Sequence, residues 1–212
     1  MSSVSSQNAY QPDEDDQRMI RFQSGDKSAF NEIVNDWQRP LWRFFCHHTR
    51  DPACSEDLTQ IAFTRLSSNA WNYIPCGLFR TFIFRIARNL LIDKSRRDKS
   101  DVLIRSPQSA AGEPDYLTSI PSSDRTADEI AQDRELSNII ESCILKLPEE
   151  QRTTFWLFHS QALSLPEIAA ATDVGLSTAK SRLRLAREKL RSMLFALDIG
   201  CDWPVKDHED DN

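Results

Sequence analysis

Six cations and one acid crowd the segment from Thr178 to Arg191: Lys180, Arg182, Arg184, Arg187, Lys189 and Arg191 against Glu188. Such donors suit phosphate oxygens and the acceptor edge of guanine. Their spacing sorts them. Leu176, Ala179, Leu183, Ala186, Leu190, Met193 and Leu197 recur at alternating intervals of three and four, the apolar stripe of one helix. Ser177, Ser181, Arg184 and Glu188 point most directly away from that stripe, and Lys180 and Arg182 flank them. Lys180, Ser181 and Arg184 are thus the candidates for base edges, and Arg182 and Arg187 for phosphates. Ser177 or Thr178 would cap this helix and sit beside the same surface. Leu185, apolar on a polar side, suits either a thymine methyl or the preceding helix.

That basic helix needs a brace, and the residues before it supply one. Ser164 is a helix cap, Pro166 belongs in a first turn, and Glu167 adds negative charge there. Ile168, Ala169 and Ala170 give a small apolar body, and Asp173-Val174-Gly175 breaks the pattern. A short helix, a tight turn and a basic helix form the helix-turn-helix that enters a major groove.

A second chemistry-bearing stretch runs from Phe79 to Arg97. Phe79, Phe82, Ile83, Ile86, Ala87, Leu90 and Leu91 form its inward face. Arg88 and Asn89 offer fork-shaped and amide hydrogen-bonding groups. Asp93 is placed to pair with Arg96 or Arg97 at i+3 and i+4. The loop before this helix, Asn69 to Gly77, carries Trp71 and Tyr73 among the breakers Pro75 and Gly77. Aromatic faces beside cations suit a single nucleic-acid strand.

The elements that must position these residues read as helices throughout. Periodicity begins near Gln17, with Met19, Ile20, Phe22, Ala29, Phe30, Ile33, Val34 and Trp37 on one face and an interruption at Gly25-Asp26. Pro40 starts or kinks the next segment, and Asp51-Pro52 marks a turn. Ser55 is read as the cap of a helix whose buried side is Leu58, Ile61, Ala62, Phe63 and Leu66. From Lys99 to Arg125 periodicity fails and Ser, Pro, Gly and Asp accumulate, as in a flexible linker. It returns at Ala127, stops and restarts at Pro148, and ends at an acidic tail from Asp198. The fold class is all-α: two small helical domains at 17–98 and 127–197, a linker at 99–126, a disordered acidic N-terminus at 1–16 and a tail at 198–212.

The net charge of −6 conflicts with nucleic-acid binding only on average. Arg80 to Arg105 holds eight basic and three acidic residues, a local balance of +5, and Thr178 to Arg191 has the same balance. Local DNA contact is favoured, and tight nonspecific binding by the free chain is not. Five cysteines at 46, 54, 76, 143 and 201 show no C-x-x-C pair and no disulfide framework. Cys46-His47-His48 with Cys54 lacks zinc-ligand spacing, and the two histidines suit the last carbonyls of a helix. No glycine phosphate loop or nucleophile elbow occurs, so no enzyme, metal or cofactor is expected. No secretory signal or membrane-spanning run occurs either, which makes the cytoplasm the expected compartment without membrane insertion.

FRTFIFRIARNLLIDKSRR resembles the DNA-contacting helix of region 2 in bacterial sigma factors of the extracytoplasmic-function (ECF) group. SEDLTQIAFTRL resembles the region 2 helix that docks on the polymerase clamp, and SGDKSAFNEIVNDWQRPLWRFF that domain's first helices. LPEEQRTTFWLFHSQALSLPEIAAATDVGLSTAKSRLRLAREKLRSML resembles region 4, which reads the −35 element. The likeness covers about residues 17 to 98 and 127 to 197. It implies a non-catalytic subunit that binds core RNA polymerase and promoter DNA, reads the −35 and −10 elements and helps open the strands. Many relatives are held by an anti-sigma factor. By this resemblance Asp57, Gln60 and Phe63 belong to the polymerase-binding helix, with Ile61 where the family's D-L-x-Q-E-x-F pattern has an acid. The loop Trp71 to Leu78 would capture a flipped −10 base, with Trp71, Tyr73, Arg88, Asn89, Asp93, Arg96 and Arg97 around it. Ser177, Thr178, Lys180, Ser181, Arg182, Arg184 and Arg187 would serve the −35 element. A linker of about 28 residues reaches about 90 Å, enough for two elements two DNA turns, or about 70 Å, apart. The alternatives are an autonomous helix-turn-helix regulator and a sigma-like interaction module without promoter activity.

Overall fold

The structure, a computed structural model, describes residues 13–101, 127–197 and 199. The described residues form eight α-helices, one short 3-10 turn and no strand. They are α1 (Glu14–Gln23), α2 (Lys27–Thr49), α3 (Pro52–Ser68), the turn Ala70–Asn72, α4 (Phe79–Asp101), α5 (Ala127–Leu145), α6 (Glu149–Ser160), α7 (Leu165–Thr172) and α8 (Leu176–Phe195). The expected linker and tail fall almost wholly outside the described residues. The helices divide into two compact units: one gathers α1 to α4 with Trp156–Ala179, the other gathers α5, the start of α6 and α8 from Lys180.

The first unit is built around α2, whose Ile33, Trp37, Leu41 and Phe44 are buried. Their spacing of four, four and three keeps them on one face. Trp37 meets Phe79 and Phe84 edge-on, with ring centroids 5.5 and 6.0 Å apart. Such edge contacts add to the area buried by these large side chains. Trp156 joins the cluster against Phe44 and Phe84. The helix runs unbroken through Pro40, which forfeits one backbone bond at a turn where Asp36 is exposed to water. His48 donates from Nδ1 to the Phe44 carbonyl at 2.7 Å, as expected of a histidine at a helix end.

Several helix starts differ from the expectation, and the caps explain why. α1 begins before Gln17, because the Asp13 carboxylate accepts the Asp16 N–H at 2.8 Å and caps it. Asp13 to Asp16 is therefore part of the fold, and Asp16 is fully buried. Ser55 does not cap α3. Asp51 does, accepting from the N–H groups of Ala53 and Cys54, with Pro52 in the first turn. Ser55 is buried and donates to the Asp51 carbonyl.

Ion pairs fasten α1 to α2. Arg18 donates to Asp36 at 2.7 Å, and Arg21 pairs with Asp26 and Glu32 at 2.8 and 3.0 Å. Hydrogen bonds from Ser28 and Arg21 hold the Asp26 carboxyl down at about 2. Each exposed pair contributes little alone, but several charges sharing partners fix the helix in register.

In the second unit Leu183, Ala186, Leu190 and Leu194 of α8 are buried with Cys143, Leu147 and Phe155. The α8 stripe ends on Leu194: Leu197 is exposed and Met193 is half-buried.

Candidate nucleic-acid interface

The helix-turn-helix is set by its short first helix. Ser164 and Glu167 form a reciprocal capping box: Ser164 N–H donates to the Glu167 carboxylate at 2.8 Å, and Ser164 Oγ faces the Glu167 N–H. Ile168, Ala169 and Ala171 are buried, whereas Ala170, expected in the apolar body, is exposed. Asp173 takes the left-handed conformation (φ 52°) that turns the chain, a role more usual for glycine. Neither Ser177 nor Thr178 caps α8. It starts at Leu176, and the Gly175 carbonyl accepts from Thr178 and Ala179.

On α8, Ser177, Thr178, Lys180, Ser181 and Arg184 are all exposed, as their wheel positions require. Leu176 shares that exposure instead of starting the buried stripe. Among the described residues Arg184 pairs with Glu188 one turn on, at 3.2 Å, both side chains largely in water. Arg182 differs. Its side chain is 17 % exposed and ion-paired with Glu150 of α6. A phosphate would have to displace that carboxylate. Arg187 is half-buried.

The second surface is the loop 69–78 with α4. Trp71 and Ile74 are the most outward apolar groups, 73 % and 76 % exposed, followed by Leu78. Tyr73 is placed inside, against expectation for a residue that touches a base. Its ring packs on Phe79 and Phe82 and its hydroxyl donates to Asp16. Burial, then that hydrogen bond, pushes its phenol well above the usual tyrosine range. Arg85, Asn89 and Arg96 are exposed and lie within about 40° of one another around α4, so they form one polar stripe. Arg85 escaped the sequence reading. Arg97 is exposed and Arg88 is half-buried. Asp93 pairs at 3.0 Å with Arg65 of α3, a partner that i+3 and i+4 reasoning could not supply. The buried turn of α4 also includes Phe84, which the expected stripe left out, while Phe82 is only half-buried.

On α3, Asp57 and Gln60 are exposed beside Glu56, Ile61 and Thr64. Ile61, expected inside, is 42 % exposed. Phe63 is a core residue, edge-on to Phe30 at 6.4 Å, and is not presented for a protein contact. Sequence reasoning also missed Asp16 and Gln23, which hold the loop from α1. Gln23 donates from Nε2 to the carbonyls of Ala70 and Tyr73 at 2.7 and 2.9 Å.

A short capped helix, a tight turn and a helix with an exposed basic face have the build of the DNA-binding helix-turn-helix class. Residues 33–100 match the model of Sigma-70 region 2, and residues 137–190 that of Sigma-70 region 4. The ECF RNA polymerase sigma factor SigW of Bacillus subtilis is 30 % identical, the match covering 84 % of this chain and 95 % of that protein. RNA polymerase sigma-H factor of Pseudomonas aeruginosa is also 30 % identical, over 87 % of this chain and 96 % of that protein. The chain belongs to the ECF group of RNA polymerase sigma factors, and its function is promoter-directed initiation of transcription by RNA polymerase.

Two solved structures share the fold. CnrH in complex with the cytosolic domain of CnrY aligns with a TM-score of 0.58 at 23 % identity, over 86 % of this chain and 97 % of that one. The sigma factor RpoE of Bartonella quintana, with the anti-sigma factor NepR, aligns with a TM-score of 0.60 at 20 % identity, over 78 % and 96 %. Sigma factors are not themselves enzymes. Among the described residues no helix is long and apolar enough to cross a membrane.

Proposed function

We propose that this sigma factor divides its work between residues 17–98, which bind core polymerase and the −10 element, and 127–197, which read the −35 element, with 99–126 as the tether. Lys180, Ser181 and Arg184 address base edges in the −35 major groove, with Ser177 and Thr178 beside them. Arg182 and Arg187 serve phosphates. Trp71 stacks on the −10 strand, and Arg88, Asn89, Arg96 and Arg97 hold its backbone. Tyr73 and Asp93 act from behind, through the loop and through Arg65. Asp57 and Gln60 contact the polymerase clamp, with Ile61 exposed between their turns, and Phe63 shapes that face from inside. The observation that carries this reading is the pair of exposed polar and basic faces, one in each matched region.

The protein works in the cytoplasm, where polymerase and promoter are, without insertion into a membrane. An anti-sigma factor is a fitting partner, since the Bartonella protein is found in complex with the anti-sigma factor NepR. The test is run-off transcription by core polymerase plus the purified chain on a pool of random promoters. Enrichment of one −35 and one −10 sequence is the expected result. A folded chain that binds core and initiates nowhere specifically would overturn the reading.

A further inference from the structure

We infer that Asp16 and Gln23 of α1 are positioning residues for the −10 loop, so that base selectivity at the flipped position is set partly by a helix that touches no DNA. The inference rests on the proposed role of that loop. The loop needs an outside hold. After the single turn Ala70–Asn72 it has no regular structure until Phe79. Its outward residues include Trp71, Ile74 and Leu78, exposed apolar groups outside the core.

α1 supplies that hold at three points. Asp16 Oδ1 accepts from the Tyr73 hydroxyl, and Asp16 Oδ2 accepts from the Gly77 N–H at 2.6 Å. Gly77 has φ +72°, in the region that favours glycine. Two turns further along α1, on the same face, Gln23 spans the carbonyls of Ala70 and Tyr73. Ala70, Tyr73 and Gly77 therefore share one support, and Trp71 and Ile74 project from between these anchors. Asp16 is fully buried, and both bonds its carboxylate accepts come from uncharged donors of the loop. A buried carboxylate is costly to keep, and breaking such bonds leaves it unsatisfied. α1 is itself fastened to α2 by Arg18 and Arg21. The loop is thereby referred to the helical core and not only to its own chain ends.

Holoenzymes carrying Tyr73→Phe, Asp16→Asn or Gln23→Leu in the full chain test this. The probes are single-stranded oligonucleotides bearing the selected −10 sequence and each of its single-base changes. The ratio of best to worst base at the most selective position is expected to fall about tenfold in Asp16→Asn and Gln23→Leu, and less in Tyr73→Phe, which removes one hydroxyl. Selectivity at −35 should stay put. A purely structural role lowers binding to every oligonucleotide in proportion to the folded fraction and leaves that ratio unchanged. An unchanged ratio in all three variants overturns the inference. Trp71→Ala and Ile74→Ala separate the two readings. If they lower the ratio and the α1 variants do not, only the positioning role fails. If neither loop substitution moves it, the loop is not the −10 reader and both fail.

Discussion

Arg182 and Arg184 stand two positions apart on α8 and meet different surroundings. Arg184 is 70 % exposed and, in the base-reading role proposed for it, would give up only a weak surface pair with Glu188. Arg184→Ala should therefore cost about 1–3 kcal/mol at the base it reads and relax preference there alone, with Lys180→Ala acting likewise at its own base. Competitive binding of the holoenzyme to single-base −35 variants checks it. A uniform loss across all variants would make Arg184 a phosphate contact instead. Arg182 is held by Glu150 in the free chain, and a phosphate has to displace that carboxylate. Arg182→Ala should therefore flatten the slope of log affinity against log salt by about 0.9, the value for one phosphate contact. An unchanged slope would mean Arg182 never reaches DNA. The exposed residues Lys180, Ser181 and Arg184 were legible because a helical wheel needs only the period. Tyr73 was misplaced for the opposite reason. An aromatic ring serves a core and a contact equally well, and composition cannot say which. Only the positions of Phe79 and Asp16 decide it.

At the scale of elements, the long helices followed from apolar period, and their ends did not. Serine and threonine at 55, 177 and 178 have capping chemistry, but Asp51 and Gly175 precede them and start the helices first. Asp13 to Asp16 reads as a solvated acidic run, since nothing local shows that Tyr73 and Gly77 wait for one of those carboxylates. Ser164 was legible because its partner, Glu167, lies within the same turn. The α1–loop contact has a pH signature. Burial and the bond to Asp16 raise the Tyr73 phenol above its ordinary value of 10.0. Below pH 10 both folded and unfolded chains keep this proton. Above it the unfolded chain releases the proton while the folded chain holds it, so stability falls as pH rises. Tyr73→Phe should show a shallower loss of stability between about pH 9 and pH 11 than the natural chain, measured by urea unfolding at each pH. Parallel losses would mean that this hydroxyl is not held in the folded protein as described.

At the scale of the whole molecule, the acidic average and the basic patches are parts of one device. A chain of net charge −6 is repelled by DNA except where its cations cluster, in α4 and α8. Each cluster alone offers few phosphate contacts, and Arg182 is already engaged by Glu150. On the proposed division of work, affinity comes from using both faces together, the second contact made intramolecular by polymerase. The free chain should bind a −35 duplex no tighter than the nonspecific range, about 10⁻⁴ to 10⁻⁶ M at physiological salt. With core polymerase, a promoter bearing both elements should bind at least about a hundredfold tighter than one bearing −35 alone. Fluorescence anisotropy on the two duplexes, with and without core, measures all four affinities. Nanomolar, sequence-specific binding by the free chain would mean that the helix-turn-helix suffices by itself, and the division of labour between the two faces would be wrong. If polymerase tightened both duplexes equally, the −10 face would contribute nothing, and the basic stripe Arg85–Asn89–Arg96 would be only a solvated side of α4.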